Sequence, residues 1–343
     1  MTSGIRVPPE LIERDPEVLA PAAGLIYLPD STPGWTRRRR GRGFSYADAF
    51  GTALAGSDRA RIEALAIPPA WTSVWICPEP DGYLQATGLD DAGRKQHRYH
   101  PEFRSFCDGR KFDRLRYFAR AVVVLRKAAA AGLEEETGSR DHAIAAAITL
   151  IDRCLLRVGN HQSAANGHFG ATTLTVEHVV DDGFMTLDYT AKSGKTRTIV
   201  VEDDELVDIL GVLAEGADRE LFWFDESGEH RRATASDVNR FIVEHAGPAF
   251  SAKDYRTWGG TATALAARAD GCEVLHAVDA AADELGNTRA VARRSYVHPV
   301  VLEAEQHVID IAWSRSRSSR WLERSESALA KLLTSAEGVA GRS

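Results

Sequence analysis

The pattern of apolar residues changes near residue 100, and this change constrains the fold more than any other feature. Before it, short apolar runs such as Trp71–Cys77 and Tyr83–Thr87 are separated by Pro and Gly, which is typical of short strands joined by turns. After it, long amphipathic segments dominate. We therefore predict an α+β chain with a small β-rich domain over residues 1–100 and a larger, mainly α-helical domain over 101–343.

Spacing predicts individual helices in the larger domain. One covers Phe112–Ala131 and is closed by Gly132. A second covers Asp141–Val158, with apolar residues at every third or fourth position. Helices resume at Ser236–His245, for which Ser236 is the predicted N-cap.

Between these helices, the pattern of alternating residues predicts a small three-stranded sheet. The strands are expected at residues 172–177, 184–190 and 196–201. The turns between them are Asp181–Gly183 and the Ser193-Gly194 pair. Lys192 is therefore predicted at the tip of the second hairpin.

The charges are segregated along the chain. The net charge of -7 argues against a nucleic-acid partner when taken alone. However, a phosphate senses charge only over about 10 Å, so a local basic surface is sufficient. Arg37–Arg40 and Arg42 form one basic run, and aromatic residues on both sides of it favour an ordered loop over a disordered tail. A second basic run covers residues 94–120.

Composition excludes several classes of protein. The four cysteines are widely spaced and form no CxxC pair, which favours reduced thiols and argues against a thiolate zinc site. No run of about 18 apolar residues is present, and the N-terminus has no apolar core of secretory length. We expect a cytoplasmic protein, and the preference for Arg over Lys indicates a bacterial source.

Five polar residues at the ends of predicted elements are candidates for chemistry. Arg157 falls in the last turn of a predicted helix, Lys192 at a hairpin tip and Asn287 in a turn between helices. Each has an ordinary structural explanation, as has Tyr296, because a lone tyrosine is usually half-buried in a core. Arg256 begins a helix, where a cation opposes the helix dipole, so it is the one expected to face an anion.

The order of these five residues is informative. The series Arg, Lys, Arg, Asn, Tyr resembles the active site of type IB DNA topoisomerases, in the compact bacterial and poxvirus-like branch. The resemblance extends over local strings and reaches from about Trp35 to Val308. The strings are Leu156–Asn160, Ala191–Lys195, Lys253–Gly259, Leu285–Thr288 and Arg293–Pro299, with Ile67–Trp71 and Gly93–His100 upstream.

The resemblance implies a reaction and a role for each residue. Tyr296 would attack a backbone phosphodiester and form a 3′-phosphotyrosyl link. Arg157 and Arg256 would bind the phosphate oxygens, since arginine keeps its charge and donates in pairs. Asn287 would add a hydrogen bond, and Lys192 would protonate the leaving 5′-oxygen. Many members of the family carry His where this chain has Asn287, which cannot transfer a proton.

The resemblance also implies how DNA is held. The two domains would close around duplex DNA as a C-shaped clamp. Phosphate contacts are expected from Arg37, Arg38, Arg39, Arg40, Arg42, Arg94 and Lys95, and major-groove contacts from Gln96, His97 and Tyr99. We expect a monomer in the cytoplasm, associated with the nucleoid, that needs no metal, no ATP and no small-molecule cofactor and binds no membrane.

Two other functions remain open. A tyrosine recombinase shares the catalytic residues, but usually has His three residues before its second arginine, where this chain has Lys253. A non-catalytic DNA-binding protein on the same scaffold would keep the basic surface and lose the chemistry. A metallonuclease would require a carboxylate cluster, which the sequence does not indicate.

Overall fold

The fold is taken from a computed structural model that describes residues 5–192, 194–217 and 219–340, with side chains described as far as residue 335. The chain divides into two compact units, Pro9–Lys111 and a larger one that includes Phe112–Ser343. The division lies inside a long helix. The domain boundary expected at residue 100 and the C-shaped clamp stay predictions.

The smaller unit is built on one antiparallel sheet with the strand order β2-β1-β3-β4-β5. Its elements are α1 (Pro9–Ile12), α2 (Pro16–Ala22), β1 (Trp35–Arg40), β2 (Gly43–Ala47), α3 (Gly56–Ala64), β3 (Thr72–Ile76), β4 (Leu84–Leu89) and β5 (Lys95–Tyr99). The strands predicted around residues 71–77 and 83–87 are thus present as β3 and β4. A core that includes Ile62 of α3 packs against Val74, Ile76 and Ala86 on one face of the sheet.

The arginine run forms regular structure rather than the expected loop. Arg37–Arg40 lie on β1, which pairs with β2 in the register Arg37 with Tyr46 and Arg40 with Gly43. Gly41, at a φ of 57°, makes the turn between the two strands. The aromatic residues that flank the run pack on the sheet, and this holds the charged segment in an extended conformation.

The larger unit is mainly helical, as predicted. Its helices are α4 (Pro101–Leu133, which begins in the smaller unit), α5 (Arg140–Cys154), α6 (His161–Ala164), α7 (Asp204–Gly216), α8 (Ala235–Ala246), α9 (Ala252–Ala269), α10 (Val274–Leu285), α11 (Arg289–Ser295), α12 (Pro299–Glu303), α13 (Gln306–Ser314) and α14 (Arg324–Ala340). Its strands are β6 (Val179–Asp181), β7 (Met185–Thr190), β8 (Thr196–Val200), β9 (Trp223–Glu226) and β10 (Glu229–Arg232). No helix in the described part of the chain is both long and apolar enough to cross a membrane.

The three-stranded sheet has the order β6-β7-β8, and two of its strands lie where they were predicted. The prediction of a strand over residues 172–177 was wrong. That segment forms two 3-10 turns, and the first strand begins only at Val179. Side-chain hydrogen bonds within Gly170–Thr173 and Thr175–His178 stabilise the turns, which explains why alternation alone was misleading. The hairpin of β9 and β10 was not predicted.

Four predicted helix boundaries were also wrong. Helix α4 begins at Pro101 and not at Phe112, since proline is favoured in the first turn of a helix. Helix α4 runs through Gly132, and a Cβ atom there would lie 2.8 Å from Ala145 Cβ, so this glycine allows α5 to approach instead of ending the helix. Helix α5 ends at Cys154, because Leu155 adopts a left-handed conformation. Helix α8 is capped by Thr234 and not by Ser236, since the Thr234 hydroxyl accepts from the N–H of Asp237.

Helix α9 lies at the centre of the larger unit. It contacts α5, α10, α13 and α14, and its residues Tyr255, Arg256 and Trp258 are almost completely buried. Arg126 of α4 forms ion pairs with Asp152 of α5 and Glu326 of α14, and these pairs hold the three helices together. The position of α9 decides where the candidate site forms, because Arg256 lies on this helix.

Candidate active site

Arg256 is held by the ends of two other helices. It is 2% exposed, and its guanidinium donates to the backbone carbonyls of Leu155 and Leu285, the latter at 2.9 Å from Nη2. Leu155 follows the end of α5, and Leu285 is the last residue of α10. Carbonyls at helix C-termini lack an intrahelical donor and carry partial negative charge. They therefore orient the guanidinium and compensate part of its charge.

Tyr296 lies beside this arginine. It follows the last residue of α11, is 9% exposed, and has its ring centroid 5.0 Å from the guanidinium carbon of Arg256. Burial opposes ionisation of the phenol. The charge and hydrogen bonding of Arg256, followed by the charges of Arg157 and Lys253, outweigh burial and lower the pKa of Tyr296 below its ordinary value. The phenolate of Tyr296 is thus more accessible than that of an ordinary tyrosine.

The cluster still keeps Arg256 charged at neutral pH. Burial, together with the nearby charge of Arg157, lowers the pKa of the Arg256 guanidinium to about 10. The positive charges of buried Arg256 and half-buried Arg157 repel each other, and an anion bound by both would compensate this repulsion. The pair is therefore suited to binding a phosphate.

Arg157 and Asn287 form the other side of the cluster. Arg157 Nη2 donates to Asn287 Oδ1 over 2.7 Å, so the amide nitrogen of Asn287 points away from this bond. That nitrogen is buried and has no hydrogen-bond partner among the described residues. Asn287 lies in the turn that follows α10. In this turn Gly286 adopts a left-handed conformation, with a φ of 58°, and the Asn287 N–H donates to Ala282 O over 2.8 Å. An unpartnered buried donor is costly unless a ligand accepts from it.

The prediction that Arg157 lies in the last turn of a helix was wrong, although Arg157 does contact another candidate site residue, Asn287. It lies three residues beyond the end of α5, in an extended segment, and not in the last helical turn. Its backbone carbonyl accepts from the N–H of Ala171 at 2.8 Å. A cation stabilising a helix end is therefore not the explanation for this residue.

Lys192 is separate from these four residues. It lies at the tip between β7 and β8 and is exposed, and within the described ranges its ammonium group has no hydrogen-bond or ion-pair partner. Hydrogen bonds between Ala191 and both Lys195 and Gly194 close the hairpin. The Ser193 part of the predicted turn lies outside the described residues. The prediction that Lys192 lies at the tip of this hairpin is thus confirmed.

The structure adds site neighbours that the sequence interpretation missed. Arg197 on β8 donates to the carbonyls of Glu284 and Leu285, just before Asn287. Burial raises the pKa of Tyr189 on the adjacent strand, against the charges of Arg197, Arg256 and Arg157. A basic residue on a strand after the hairpin is too common a pattern to have identified Arg197.

Strand register divides the predicted DNA contacts of the smaller unit between two faces. Thr36, Trp75, Thr87 and His97 pair in a row across β1, β3, β4 and β5, and alternate residues of a strand share a face. This face therefore carries five of the predicted contacts. They are Arg38, Arg40, Lys95, His97 and Tyr99, and we call them the basic sheet face.

The remaining predicted contacts lie elsewhere. Arg37, Arg39 and Gln96 belong to the opposite face of the sheet. Arg42 is exposed in the turn after β1, and Arg94 forms an ion pair with Asp90. Gln96 also donates to Asp90, over 2.9 Å.

The side chain of Arg37 is engaged in contacts within the smaller unit. Its guanidinium donates to the backbone carbonyls of Ile67, Pro68 and Trp71 at 2.6–3.1 Å and lies over the ring of Phe44. Burial lowers the pKa of Arg37, although the group stays a cation. Its donors hold the segment before β3, so few are left for phosphate.

Three side chains of the basic sheet face, Lys95, His97 and Tyr99, contact other side chains of the smaller unit. Lys95 forms an ion pair with Asp30 over 2.6 Å, and the ring of His97 stacks on Tyr99 with 5.7 Å between centroids. Burial raises the pKa of Asp30, but hydrogen bonds from Lys95 and Thr87 outweigh this and lower it. No cluster of three or more His, Cys, Asp or Glu side chains suited to a metal ion occurs within the described ranges.

Comparisons with known proteins give matches in both units of the chain. The family model described as the N-terminal domain of bacterial DNA topoisomerase IB matches residues 43–90, and that of the catalytic core of eukaryotic DNA topoisomerase I matches residues 100–312. DNA topoisomerase 1B of Acanthamoeba polyphaga mimivirus is 30% identical over 270 residues, which cover 73% of this chain and 80% of the viral protein. Because the core match spans more than half of the chain, and the viral relative covers more than two thirds of it, this chain belongs to the type IB DNA topoisomerase family.

Proposed function

We propose that this enzyme relaxes supercoiled duplex DNA by breaking and resealing one strand through Tyr296. The phenolic oxygen attacks a backbone phosphorus, and a bond from oxygen to phosphorus forms as the bond to the 5′-oxygen breaks. The DNA keeps a 3′-phosphotyrosyl link, and the 5′-hydroxyl end is free to rotate about the intact strand. The reverse attack reseals the strand without an external energy source.

The environment of Tyr296 supports its role as nucleophile. An ordinary phenol has a pKa near 10 and is a poor nucleophile at neutral pH. Arg256 is 5.0 Å from the ring, and the pKa of Tyr296 is lowered. A phenol with a lowered pKa gives up its proton more readily as it attacks phosphorus, and its oxygen is also a better leaving group when the strand is resealed.

The other three members of the cluster suit the transition state, which gathers negative charge on the non-bridging oxygens of the phosphate. Arg157 and Arg256 supply permanent charge, and the free amide N–H of Asn287 supplies a donor. All are held in place before DNA arrives, so little reorganisation is needed. Donors of this kind contribute roughly 3–4 kcal/mol each to transition-state stabilisation.

Lys192 is assigned the proton transfer to the leaving 5′-oxygen. The leaving alkoxide needs a proton, and an ammonium group on an exposed hairpin tip can approach bound DNA. Its lack of a partner fits a group that engages only with substrate. When the strand is resealed, the 5′-hydroxyl returns its proton to the same amine as it attacks phosphorus, so Lys192 is again an ammonium group at the end of the cycle.

The basic sheet face is assigned to DNA binding. Arg38, Arg40 and Lys95 would contact phosphates, and His97 and Tyr99 would reach base edges or sugars. We assign Arg37 a structural role because its guanidinium is already occupied by backbone carbonyls. The partner is double-stranded DNA, and we propose a monomer that acts on the nucleoid without metal or ATP.

The observation that carries the proposal is the ring of Tyr296 beside buried Arg256, with the Arg157–Asn287 pair next to it. Relaxation of supercoiled plasmid in EDTA without ATP tests it directly. Wild type should relax the plasmid and form a covalent adduct with DNA, whereas Tyr296→Phe should do neither.

The chain offers a matched control in Tyr255. This residue is fully buried, and its hydroxyl has no partner within the described ranges, so Tyr255→Phe should keep wild-type activity. Full activity of Tyr296→Phe would overturn the assignment of the nucleophile. Relaxation only when a divalent metal or ATP is supplied would overturn the metal-free and ATP-free mechanism. DNA binding without relaxation or adduct formation under any condition would indicate a non-catalytic protein.

A further inference from the structure

One buried hydroxyl joins the helix of Arg256 to the turn of Tyr296. Thr261 lies on α9 and is completely buried. Its Oγ1 lies 2.9 Å from the carbonyl oxygen of Tyr296 and 2.6 Å from that of Thr257, and it accepts from the N–H of His298 over 3.1 Å. The single hydroxyl proton is thus shared between two carbonyls while the oxygen accepts on its other side.

The hydrogen bonds of the turn show why this hydroxyl matters. The N–H groups of Tyr296 and Val297 both donate to Ala292 O, at 2.9 and 3.0 Å. The carbonyl of Tyr296 and the N–H of His298 take the Thr261 hydroxyl as their partner. Val297 is fully buried, so water has little access to replace it. Without the hydroxyl, two backbone groups on either side of Val297 would lose their partner.

Close packing makes the contact possible. Gly260 precedes Thr261, and a Cβ atom built there would lie 3.5 Å from Tyr296 Cβ and 2.7 Å from a methyl group of Leu285. A Cβ atom at position 260 would therefore clash with Leu285 of α10 and only touch Tyr296 Cβ. The glycine thus allows α9 and α10 to pack closely, and the threonine ties α9 to the turn of Tyr296.

We propose that Thr261 is a positioning residue that holds the backbone of Tyr296 in register with Arg256. This inference rests on the proposed function of Tyr296. Arg256 lies five residues before Thr261 on the same rigid helix, so the hydroxyl sets the separation of phenol and guanidinium through two short links. Misplacing a reacting group by about 1 Å can lower a rate about 100-fold.

Three variants test the proposal. Thr261→Val keeps the branched shape and removes the hydroxyl, whereas Thr261→Ser keeps the hydroxyl. Thr263→Val is the matched control, because among the described residues the hydroxyl of Thr263 bonds only to Gly259 O of its own helix, over 3.0 Å. For each variant we would measure the single-turnover rate of covalent adduct formation at saturating DNA, the dependence of this rate on pH, the Kd for DNA and the thermal unfolding curve.

Thr261→Val should form the adduct about 10–100-fold more slowly than wild type, at an unchanged Kd and below its unfolding temperature. Its pH profile should move to the alkaline side, since a phenol that drifts from Arg256 loses part of the lowering of its pKa. Thr261→Ser should recover most of the rate, and Thr263→Val should match wild type in rate and profile.

A wild-type rate for Thr261→Val would overturn the proposal. So would a rate that falls only in proportion to the folded fraction, or a Thr261→Ser variant as slow as Thr261→Val. Failure of the proposed function looks different, because wild type itself would then form no adduct or Tyr296→Phe would still form one.

Discussion

The cluster of Arg157, Arg256, Asn287 and Tyr296 and the basic sheet face use arginine in different ways. In the cluster, Arg256 is buried, and helix-end carbonyls accept from its Nη1 and Nη2 groups, while its buried Nε–H has no partner among the described residues. On the sheet, Arg38 and Arg40 are exposed on a strand. A buried, fixed cation can act on one phosphate with a defined geometry, whereas an exposed cation attracts any phosphate nearby. Substitutions in the cluster should therefore change rates, and substitutions on the sheet should change salt-dependent affinity.

Lys192 is the strongest test of this distinction, because it is exposed and yet assigned to chemistry. Lys192→Ala should lower the rate of adduct formation by about 10²–10⁴-fold with little change in DNA affinity, since a general acid is lost. Single-turnover cleavage of a mapped site would measure it. Lys195→Ala is the control, as Lys195 is exposed on the same hairpin.

A modified substrate separates proton transfer from charge at this position. Replacing the bridging 5′-oxygen at the cleavage site by sulfur gives a leaving group that needs no protonation. Lys192→Ala should then cleave at nearly the wild-type rate. A variant that stays equally slow on the sulfur substrate would contradict the role as general acid.

Arg256→Ala should lower the rate by about 10²–10³-fold and move its pH profile to the alkaline side. The sign follows from the charge: Arg256 lowers the pKa of Tyr296, so its removal raises that pKa and the phenolate forms only at higher pH. Arg256→Lys keeps a charge and should shift the profile less. An unchanged pH profile in a folded Arg256→Ala protein would show that this charge does not tune the nucleophile.

Arg38→Ala combined with Arg40→Ala should have the smallest effect on rate at saturating DNA. Each phosphate contact contributes about 0.9 to the slope of log affinity against log salt, so the pair should reduce the slope by about 1.8. Arg37→Ala should instead leave the slope unchanged and lower the melting temperature, because three carbonyls lose their donor. If Arg37→Ala reduced the slope as well, the division of the sheet into two faces would have no functional meaning.

The five candidate site residues were identified in the sequence because their order and local strings resemble those of a known family, and the structure places four of them, Arg157, Arg256, Asn287 and Tyr296, close together. A phosphodiester needs permanent cations and a nucleophile, and these survive as recognisable strings around Arg157, Arg256 and Tyr296. Local hydrogen-bonding and turn signals also placed Lys192 on a hairpin and Asn287 in a turn. The three-stranded sheet was predicted for two of its strands, whose alternation is regular.

Long-range contacts account for what could not be predicted. Gly132 was expected to end a helix, but it makes room for Ala145 of the next one. Arg37 was expected on phosphate, but it holds a loop about 30 residues away in the chain. Thr261 carries no local signal at all, since its partners Tyr296 and His298 lie more than 30 residues further on.

The sequence by itself determined the class of chain and its helical and β-rich parts, because composition and periodicity act locally. It also indicated the candidate residues for strand breakage, through the resemblance of their order and local strings to those of a known family. Only the tertiary structure decided that Leu155 and Leu285 hold Arg256, that the Asn287 amide keeps one donor free, and which arginines of β1 face outward. Those properties depend on which carbonyls and side chains meet across packed elements. A linear pattern contains the partners but does not specify the pairing.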